Sequence, residues 1–358
     1  STEEAPKPKR GRGGRTVSRT TRTETWSWQS QIRDTLSLII RVLRLPTQRI
    51  WTNSPDRREF LNAITRPAYI ISESEAFMKS PDIRQAVYQV LCVAVKSHGQ
   101  SMTLQIHIVQ SLQFFEHMSE NLAECLAKLS IEYDHPQTGD EVLREIAGMT
   151  FTATDPKPPR ACARFLVAYA ERYPRASHRQ LALLLNQQDS DAYPLRQAIL
   201  EILGLLIAEL AQSLDNDGTD RKKTQNEIIG MFELIFERLL DSNSYVRTKL
   251  FAVLTKICDV KAVRFPSQRL QMAQKACDAL WDKSSTVRKA ALTCLNKLLE
   301  THPYGQMHGG LLRRAEWEAD FEEAVKALKA IGSVGNAVAA GPEDDNDEEG
   351  AKGASKKK

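Results

Sequence analysis

The sequence lacks the short motifs that build common catalytic centres. It contains no glycine-rich phosphate loop ending in Lys-Ser or Lys-Thr, no His-Glu-x-x-His zinc motif and no Gly-x-Ser-x-Gly nucleophile turn. Its acidic residues are spread over helical stretches and tails instead of being gathered at one point. We therefore expect that the chain is not an enzyme, and that it uses no cofactor, no metal and no small-molecule substrate.

Paired cysteines and long apolar runs are also missing. The six cysteines include no Cys-x-x-Cys pair and lie mostly inside apolar helical runs, which predicts buried, reduced thiols in a cytosolic or nuclear protein. The longest apolar stretch, residues 198–211, is interrupted by Glu201 and Glu209 and is too short for a membrane span. No signal-peptide pattern opens the chain. Because the first residue is Ser, we expect the chain to be an excerpt of a longer protein.

What the sequence does contain is one phrase repeated four times. An aliphatic residue and an arginine open a run in which positions +3, +4, +6 and +7 after the arginine are nearly all apolar; the arginines are Arg84, Arg196, Arg247 and Arg288. This spacing places the apolar side chains on one face of an α-helix. A helical unit that recurs along a chain predicts an all-α solenoid, in which helix pairs bury their faces against their neighbours.

An aspartate precedes two of these arginines by six residues. Asp241 comes before Arg247, and Asp282 comes before Arg288. A short acidic side chain in a turn can cap the next helix, so we expect these aspartates to act as caps. The arginine can then pair with the aspartate of the neighbouring repeat, which is a structural role. The alternative is that some of these arginines line a nucleic-acid groove.

Composition divides the chain into three parts. Residues 1–23 carry almost no apolar side chains and, between Lys7 and Arg22, seven cations and no acid, which predicts a disordered basic arm. Residues 24–331 follow helical periodicity and form the predicted solenoid. Residues 332–358 contain six acids within residues 343–349 and end in three lysines, which predicts a disordered tail.

The basic arm has two interpretations. It is either a solvated linker or nuclear-import signal, or a flexible arm that lies on nucleic-acid phosphates. In the second case the candidate contacts are Arg10, Arg12 and Arg15.

The Asp–Val-Arg helical pair resembles the HEAT repeat, and the C-terminal part of the chain resembles a narrower family. Residues 282–288 (DKSSTVR) lead into residues 298–310 (LLETHPYGQMHGG), and residues 241–247 (DSNSYVR) and 265–270 (FPSQRL) precede them in order. This series resembles subunit 1 of the condensin complex, its D-type HEAT subunit. The diagnostic match covers about residues 190–312. Members of that family are far longer, which implies a fragment of the N-terminal half.

The resemblance implies a non-catalytic HEAT scaffold that acts in mitotic chromosome condensation. Such subunits bind the kleisin chain and the ATPase heads of the structural-maintenance-of-chromosomes (SMC) proteins, and help to hold double-stranded DNA without sequence preference. It also implies a location in the nucleus on chromosomes, with a cytoplasmic pool compatible with it. A different class remains open, namely a HEAT transport receptor or phosphatase scaffold that binds only protein partners.

Two groups of residues are candidate binding sites. For nucleic acid we single out three clusters of cations. The first lies around the helix that begins at Pro266 and consists of Lys261, Arg264, Arg269 and Lys275. The second is Arg313 and Arg314, and the third, on a predicted loop, is Arg221, Lys222 and Lys223. Each cluster is otherwise a solvated face.

For a protein partner we single out the glycine-rich turn after the last repeat, with His302, Pro303, Tyr304, Gly305 and His308. Its glycines allow close backbone approach, and tyrosine is enriched at interface hot spots. The alternatives are a wide turn between repeats, or a metal site at His302 and His308, which lack further nearby ligands.

Overall fold

The computed structural model describes residues 28–46, 49–51, 53–151, 155–213, 221–260 and 266–302, with single positions between 318 and 329. Within these ranges the chain forms fifteen α-helices and no β-strand. The predicted all-α class is therefore confirmed. The chain divides into two compact units, Ser1–Glu209 and Leu210–Lys358.

The first unit contains α1 to α10 and most of α11. Their bounds are α1 Trp28–Leu43, α2 Ser54–Glu73, α3 Glu75–Met78, α4 Pro81–His98, α5 Ser101–Phe114, α6 Ser119–Ile131, α7 Gln137–Gly148, α8 Lys157–Arg172, α9 Pro174–Arg179, α10 Leu181–Leu184 and α11 Tyr193–Ser213. Alternate helices pack on one another, with α4 on α6 and α6 on α8, and likewise α5 on α7. Helix α4 also packs on α1 and α2.

The second unit contains four further helices with the same arrangement. They are α12 Arg221–Glu237, α13 Ser244–Ile257, α14 Pro266–Asp278 and α15 Ser285–Glu300. Helix α15 packs on both α13 and α14. Short 3-10 turns, Arg238–Leu240 and Ala279–Trp281, follow α12 and α14 and precede the repeated aspartates. This alternation of stacked helices is the HEAT-like array that the repeated phrase predicts.

The predicted apolar positions after each repeated arginine form the core. In α4, α11 and α13 all twelve of these side chains are buried. In α15 Ala291 and Cys294 are buried, but Leu292 is 52% exposed. The segment that follows this repeat, residues 303–317, lies outside the described residues, as does most of the predicted helical stretch 311–331. The solenoid prediction is thus confirmed for the repeats that the structure describes.

The Ser-Pro pairs at residues 54–55 and 80–81 predict helix starts with Ser at the N-cap and Pro in the first turn. The structure confirms this for the second pair. Helix α4 begins at Pro81 with Ser80 at the N-cap. It ends at His98, and the C-cap Gly99 has a φ of 69°, the left-handed conformation that glycine adopts readily. Helix α2 begins at Ser54, so its N-cap is Asn53, one residue earlier than the Ser-Pro pattern suggests. All six cysteines are free, and only Cys277 is exposed.

A half-buried histidine links α2 to α5. His107 Nε2 lies 3.1 Å from Ser72 Oγ, and its ring meets the edge of Tyr69 at 4.6 Å between centroids. Burial lowers the pKa of His107 to about 4. The ring is therefore neutral in the folded protein at neutral pH, whereas in the unfolded chain it titrates near 6.5.

This difference predicts an acid sensitivity. Between pH 6.5 and about 4 the unfolded chain binds the proton and the folded protein does not, so stability falls as pH falls through that window. From pH 7 to pH 5 we expect the protein to lose about 1 to 2 kcal/mol more free energy of unfolding than a His107→Gln variant. Urea denaturation of both proteins at the two pH values measures this, and equal losses would contradict it.

Candidate partner and nucleic-acid surfaces

Each repeated arginine makes the same contact with the turn that precedes its helix. Its guanidinium donates to the backbone carbonyl six residues earlier. The four pairs are Arg84 Nη1 to Met78 O (3.1 Å), Arg196 Nη1 to Ser190 O (2.6 Å), Arg247 Nη1 to Asp241 O (2.6 Å) and Arg288 Nη1 to Asp282 O (2.8 Å). A charged donor on a carbonyl at the end of the preceding turn fixes the angle at which each helix begins.

In the second unit the arginine also crosses to the next repeat. Arg247 donates Nε and Nη2 to the two carboxylate oxygens of Asp282 at 2.8 and 2.9 Å, and the side chains are only 16% and 14% exposed. The guanidinium lowers the pKa of Asp282 below its ordinary value. The predicted pairing between arginine and the neighbouring repeat's aspartate is confirmed here. Its bidentate geometry joins α13 to the turn before α15.

The predicted capping by these aspartates is wrong. Asp241 Oδ1 accepts from Asn243 N at 2.8 Å, and Asp282 Oδ1 accepts from Ser284 N at 2.7 Å. Each of these hydrogen bonds stabilises the turn before the helix. The N-cap residues of α13 and α15 are the two donors, Asn243 and Ser284. Each aspartate directly follows a 3-10 turn. The aspartates therefore lie too early in the chain for their side chains to reach the first N–H groups of the next helix.

In the first unit a glutamate takes the place of the aspartate as the partner of the repeated arginine. Arg84 Nε lies 3.6 Å from Glu124 Oε2 on α6, and Tyr88 Oη donates to the same oxygen at 3.2 Å. Gln85 also donates to Glu124, at 3.4 Å. Sequence reasoning missed Glu124 because it lies inside a helix, without the turn spacing that marks the aspartates. Three side chains of α4 therefore converge on one carboxylate of the next repeat.

The structure describes two of the predicted nucleic-acid contacts. Arg269 is half-buried and donates Nη2 to Leu298 O at 3.0 Å and to Thr301 Oγ1 at 2.8 Å, at the C-terminal end of α15. Lys275 is exposed on α14. Because six positions separate these two residues, they lie on different sides of the helix. The other candidates, Arg10, Arg12, Arg15, Lys261, Arg264, Arg313 and Arg314, lie outside the described residues.

The prediction that the third basic cluster lies on a loop is wrong. Arg221, Lys222 and Lys223 form the exposed first turn of α12. Of the predicted partner-contact residues, His302 is exposed and its backbone N–H donates to Leu299 O at 3.2 Å. Pro303, Tyr304, Gly305 and His308 lie outside the described residues. Among the residues that are described, no three His, Cys, Asp or Glu side chains gather in a way that could hold a metal ion.

Two exposed apolar side chains mark an edge that the sequence analysis did not single out. Leu240 is 93% exposed and Trp281 is 91% exposed, and each directly precedes a repeated aspartate. They therefore occupy equivalent positions in neighbouring repeats. A fully exposed tryptophan is a residue type enriched at protein interfaces. The signal that could have found them is the place immediately before Asp241 and Asp282.

A further surface surrounds Phe114, which is 72% exposed at the end of α5. Two clefts of about 400 and 380 Å³ lie beside it. The first carries charged side chains, among them Arg164 and Glu116, which pair at 3.3 Å. The second is lined by apolar side chains such as Met149 and Phe151 and by polar ones such as Asp155.

Across the ranges that the structure describes, no helix has both the length and the apolar character needed to span a membrane.

The sequence is similar to known proteins over most of its length. Residues 1–104 match the family described as "non-SMC mitotic condensation complex subunit 1, N-term". Condensin complex subunit 1 of Schizosaccharomyces pombe is 32% identical over 312 residues, which cover 87% of this chain and 27% of that protein. The Saccharomyces cerevisiae protein of the same name is 33% identical, covering 81% and 24%, and the Homo sapiens protein is 25% identical, covering 80% and 20%.

This chain thus spans about a quarter of the length of these curated relatives. Among solved structures, SYS-1 is similar at a TM-score of 0.23 and 12% identity, covering 75% of this chain and 63% of SYS-1, a likeness too low to inform fold or function. The three relatives given above share the name condensin complex subunit 1. The chain belongs to the family of condensin complex subunit 1.

Proposed function

We propose that this chain is part of a non-catalytic HEAT scaffold of condensin that acts in mitotic chromosome condensation in the nucleus. It binds the kleisin subunit and the SMC ATPase heads, and it contacts double-stranded DNA without sequence preference. The observation that supports this most is the alignment of 80–87% of the chain with proteins named condensin complex subunit 1. The same alignment disfavours the alternative of a transport receptor or phosphatase scaffold.

The architecture is compatible with a scaffold. Successive helices of each unit are joined by charged contacts to the turns between them, as in the Arg247–Asp282 pair. Such arrays bind other macromolecules on long surfaces. Exposed apolar positions such as Trp281 and Phe114 offer contact area for protein partners.

Capture of kleisin tests the protein-binding part of the proposal. The purified chain is immobilised and offered overlapping fragments that together cover the kleisin of the same organism. We expect one fragment to be retained. Failure to retain any fragment, with the chain shown to be folded by circular dichroism, would contradict kleisin binding by this part of the subunit.

For DNA we expect a salt-dependent affinity that is the same for duplexes of unrelated sequence. The logarithm of the affinity should fall with the logarithm of salt with a slope of about −0.9 for each phosphate neutralised. Lys275→Glu is expected to weaken binding and to reduce the magnitude of that slope by about 0.9. An electrophoretic shift assay with random duplexes at several salt concentrations measures both.

Lys79→Glu is the matched control for that experiment. Lys79 is also an exposed lysine, with its side chain 73% exposed, but it lies at the C-cap of α3 in the first unit, where it pairs with Glu75 at 3.0 Å, and it is not among the predicted contacts. The change in net charge is the same in both variants. Equal losses of affinity would mean that binding follows overall charge alone, and a slope near zero for the unaltered chain would contradict DNA binding.

A further inference from the structure

Four of the six cysteines form two pairs across neighbouring repeats. In each pair both thiols are buried and are hydrogen-bonded to each other; the pairs are Cys92 on α4 with Cys125 on α6, and Cys258 at the end of α13 with Cys294 on α15. All four are free thiols in this structure. Because a hydrogen bond between two thiols brings their sulfur atoms close together, each pair is a candidate site for oxidation to a disulfide.

The surroundings of Cys294 favour its thiolate form. Its sulfur is hydrogen-bonded to the Cys258 thiol and to the Thr255 hydroxyl, and the Arg269 guanidinium adds positive charge nearby. Arg269 is held at this end of α15 by its hydrogen bond to Leu298 O, one turn after Cys294, at 3.0 Å. These groups lower the pKa of Cys294 below the ordinary value of a thiol, against the effect of burial.

Cys258 has the complementary role. Its hydrogen bond to Cys294 and its burial raise the pKa of Cys258, so this thiol keeps its proton while Cys294 ionises. A thiol that ionises readily, next to a second thiol that can attack its oxidised form, is the arrangement found in peroxide-sensing cysteine pairs. We propose that hydrogen peroxide oxidises Cys294 and that Cys258 then forms a disulfide with it, which links α13 to α15. This inference does not depend on the proposed role in condensin.

The reaction has two steps that together consume one peroxide. The Cys294 thiolate attacks one peroxide oxygen, a sulfur–oxygen bond forms, the oxygen–oxygen bond breaks, and the leaving hydroxide takes up a proton to become water. The product is a sulfenic acid on Cys294, whose sulfur has lost the two electrons that reduce the peroxide. The Cys258 sulfur then attacks the Cys294 sulfur, the sulfur–oxygen bond breaks, and the hydroxide leaves as water with the proton of Cys258.

Both thiols are buried, so peroxide needs a route to them. Cys258 is the C-cap residue of α13, and Asp259, directly after it, is exposed. The end of a helix opens more readily than its centre, so opening of the last turn of α13 admits peroxide to the pair. Because the two thiols are already hydrogen-bonded, closing the disulfide then requires mainly rotation of the side chains.

The pair in the first unit differs in both position and charge. Cys92 and Cys125 lie inside α4 and α6, several residues from either helix end. The hydrogen bond with Cys92, burial and the Glu124 carboxylate raise the pKa of Cys125 well above its ordinary value, and Lys128 opposes this only in part. We therefore expect peroxide to leave this pair reduced, which makes it an internal control.

The disulfide would join the last two described repeats at a second point. Arg247 near the start of α13 already pairs with Asp282 before α15, and Cys258 lies at the other end of α13. With both ends of α13 joined to the next repeat, the second unit resists unfolding more strongly. The oxidised protein should therefore have a Tm about 3 °C or more above that of the same sample treated with dithiothreitol.

The test is peroxide treatment of the whole 358-residue chain. The remaining thiols are blocked with N-ethylmaleimide in denaturant, and the protein is digested with trypsin without reduction. We expect mass spectrometry to find residues 257–261 linked to residues 290–297 in most chains. The tryptic peptides that carry Cys92 and Cys125 should stay unlinked. Oxidation of the exposed Cys277 shows that the peroxide was active.

Variants separate the roles of the individual residues. Cys258→Ser should stop the reaction at the sulfenic acid on Cys294, which dimedone labels, and Cys294→Ser should leave Cys258 reduced. Arg269→Gln should slow formation of the linked peptide severalfold, and Arg269→Lys, which keeps the charge, should restore most of the rate. A variant that only loosened the fold would react faster, so a slower rate identifies the lost charge as the cause.

Absence of the linked peptide from the folded protein, with Cys277 oxidised in the same sample, would overturn the proposal. Linkage that appears only in urea would overturn the route through the end of α13. Equal linkage of the two pairs would overturn the selectivity expected from position and charge, and an unchanged rate in Arg269→Gln would overturn the role assigned to Arg269.

Discussion

Replacing Arg247 with alanine is expected to lower the free energy of unfolding by about 2 to 3 kcal/mol, because charged hydrogen bonds and a largely buried ion pair are lost together. The variant leaves Asp282 with neither of its two guanidinium donors, at 2.8 and 2.9 Å in the native protein. It also removes the donor to Asp241 O. The partial exposure of the pair keeps the expected loss below that of a fully buried one. Thermal unfolding should show Tm lowered by about 4 to 10 °C.

Arg288→Ala provides the matched control. Arg288 makes the same contacts with the preceding turn, donating to Asp282 O at 2.8 Å and to Lys283 O at 3.1 Å, but its side chain is exposed. We therefore expect a smaller loss, about 1 kcal/mol. The difference between the two variants isolates the inter-repeat pair. Equal losses would mean that the turn contact alone, and not the pair with Asp282, stabilises the array.

The Arg247 experiment also separates the two roles that the sequence left open for the repeated arginines. A side chain that only lined a nucleic-acid groove could be truncated without a change in Tm. A structural role requires the loss of stability described above, measured in the absence of DNA. An unchanged Tm for Arg247→Ala would return these arginines to the list of nucleic-acid candidates.

The spacing of apolar residues was sufficient to predict the helices and their buried faces, because a period of 3.6 is imposed by the core on every repeat. The arginine contact could be predicted in part. A recurrent Arg inside an amphipathic pattern signals a structural partner, but only coordinates reveal that this partner includes the carbonyl six residues earlier. The prediction that Asp241 caps the next helix is wrong because the sequence spacing between Asp241 and Arg247 does not reveal the 3-10 turn that determines where the helix begins.

The binding surfaces were harder to predict than the fold. Periodicity distinguishes core from surface, but it does not distinguish a solvated apolar side chain such as Trp281 from one covered in the next layer. Arg269 shows the same for charge: the sequence marks it as a DNA candidate because it is a cation near a turn, but only the coordinates show that its guanidinium donates to Leu298 O at the end of α15. The charge of a residue does not reveal which backbone carbonyls the fold places within hydrogen-bond distance of it.

Gly139→Ala is expected to destabilise the protein by about 2 to 3 kcal/mol, because a methyl group on α7 has no space. A β-carbon at this position would overlap the hydroxyl oxygen of Tyr169. The Tyr169 side chain cannot move aside easily, because it is fully buried, its ring stacks on Phe165 and its hydroxyl lies 3.2 Å from Ser130 Oγ. Urea denaturation followed by circular dichroism measures the loss.

The control is the other glycine of the same helix. A β-carbon on Gly148 would meet nothing within 4 Å, so Gly148→Ala is expected to change stability by less than about 1 kcal/mol. Combining Gly139→Ala with Tyr169→Phe removes the overlapping oxygen, so the double variant should lose at least about 1 kcal/mol less than the sum of the single losses. If the losses of the two single variants add strictly in the double variant, the overlap with Tyr169 is not the cause of the destabilisation. If the Gly139→Ala protein is as stable as the Gly148→Ala protein, α7 and α8 can separate to admit the methyl group.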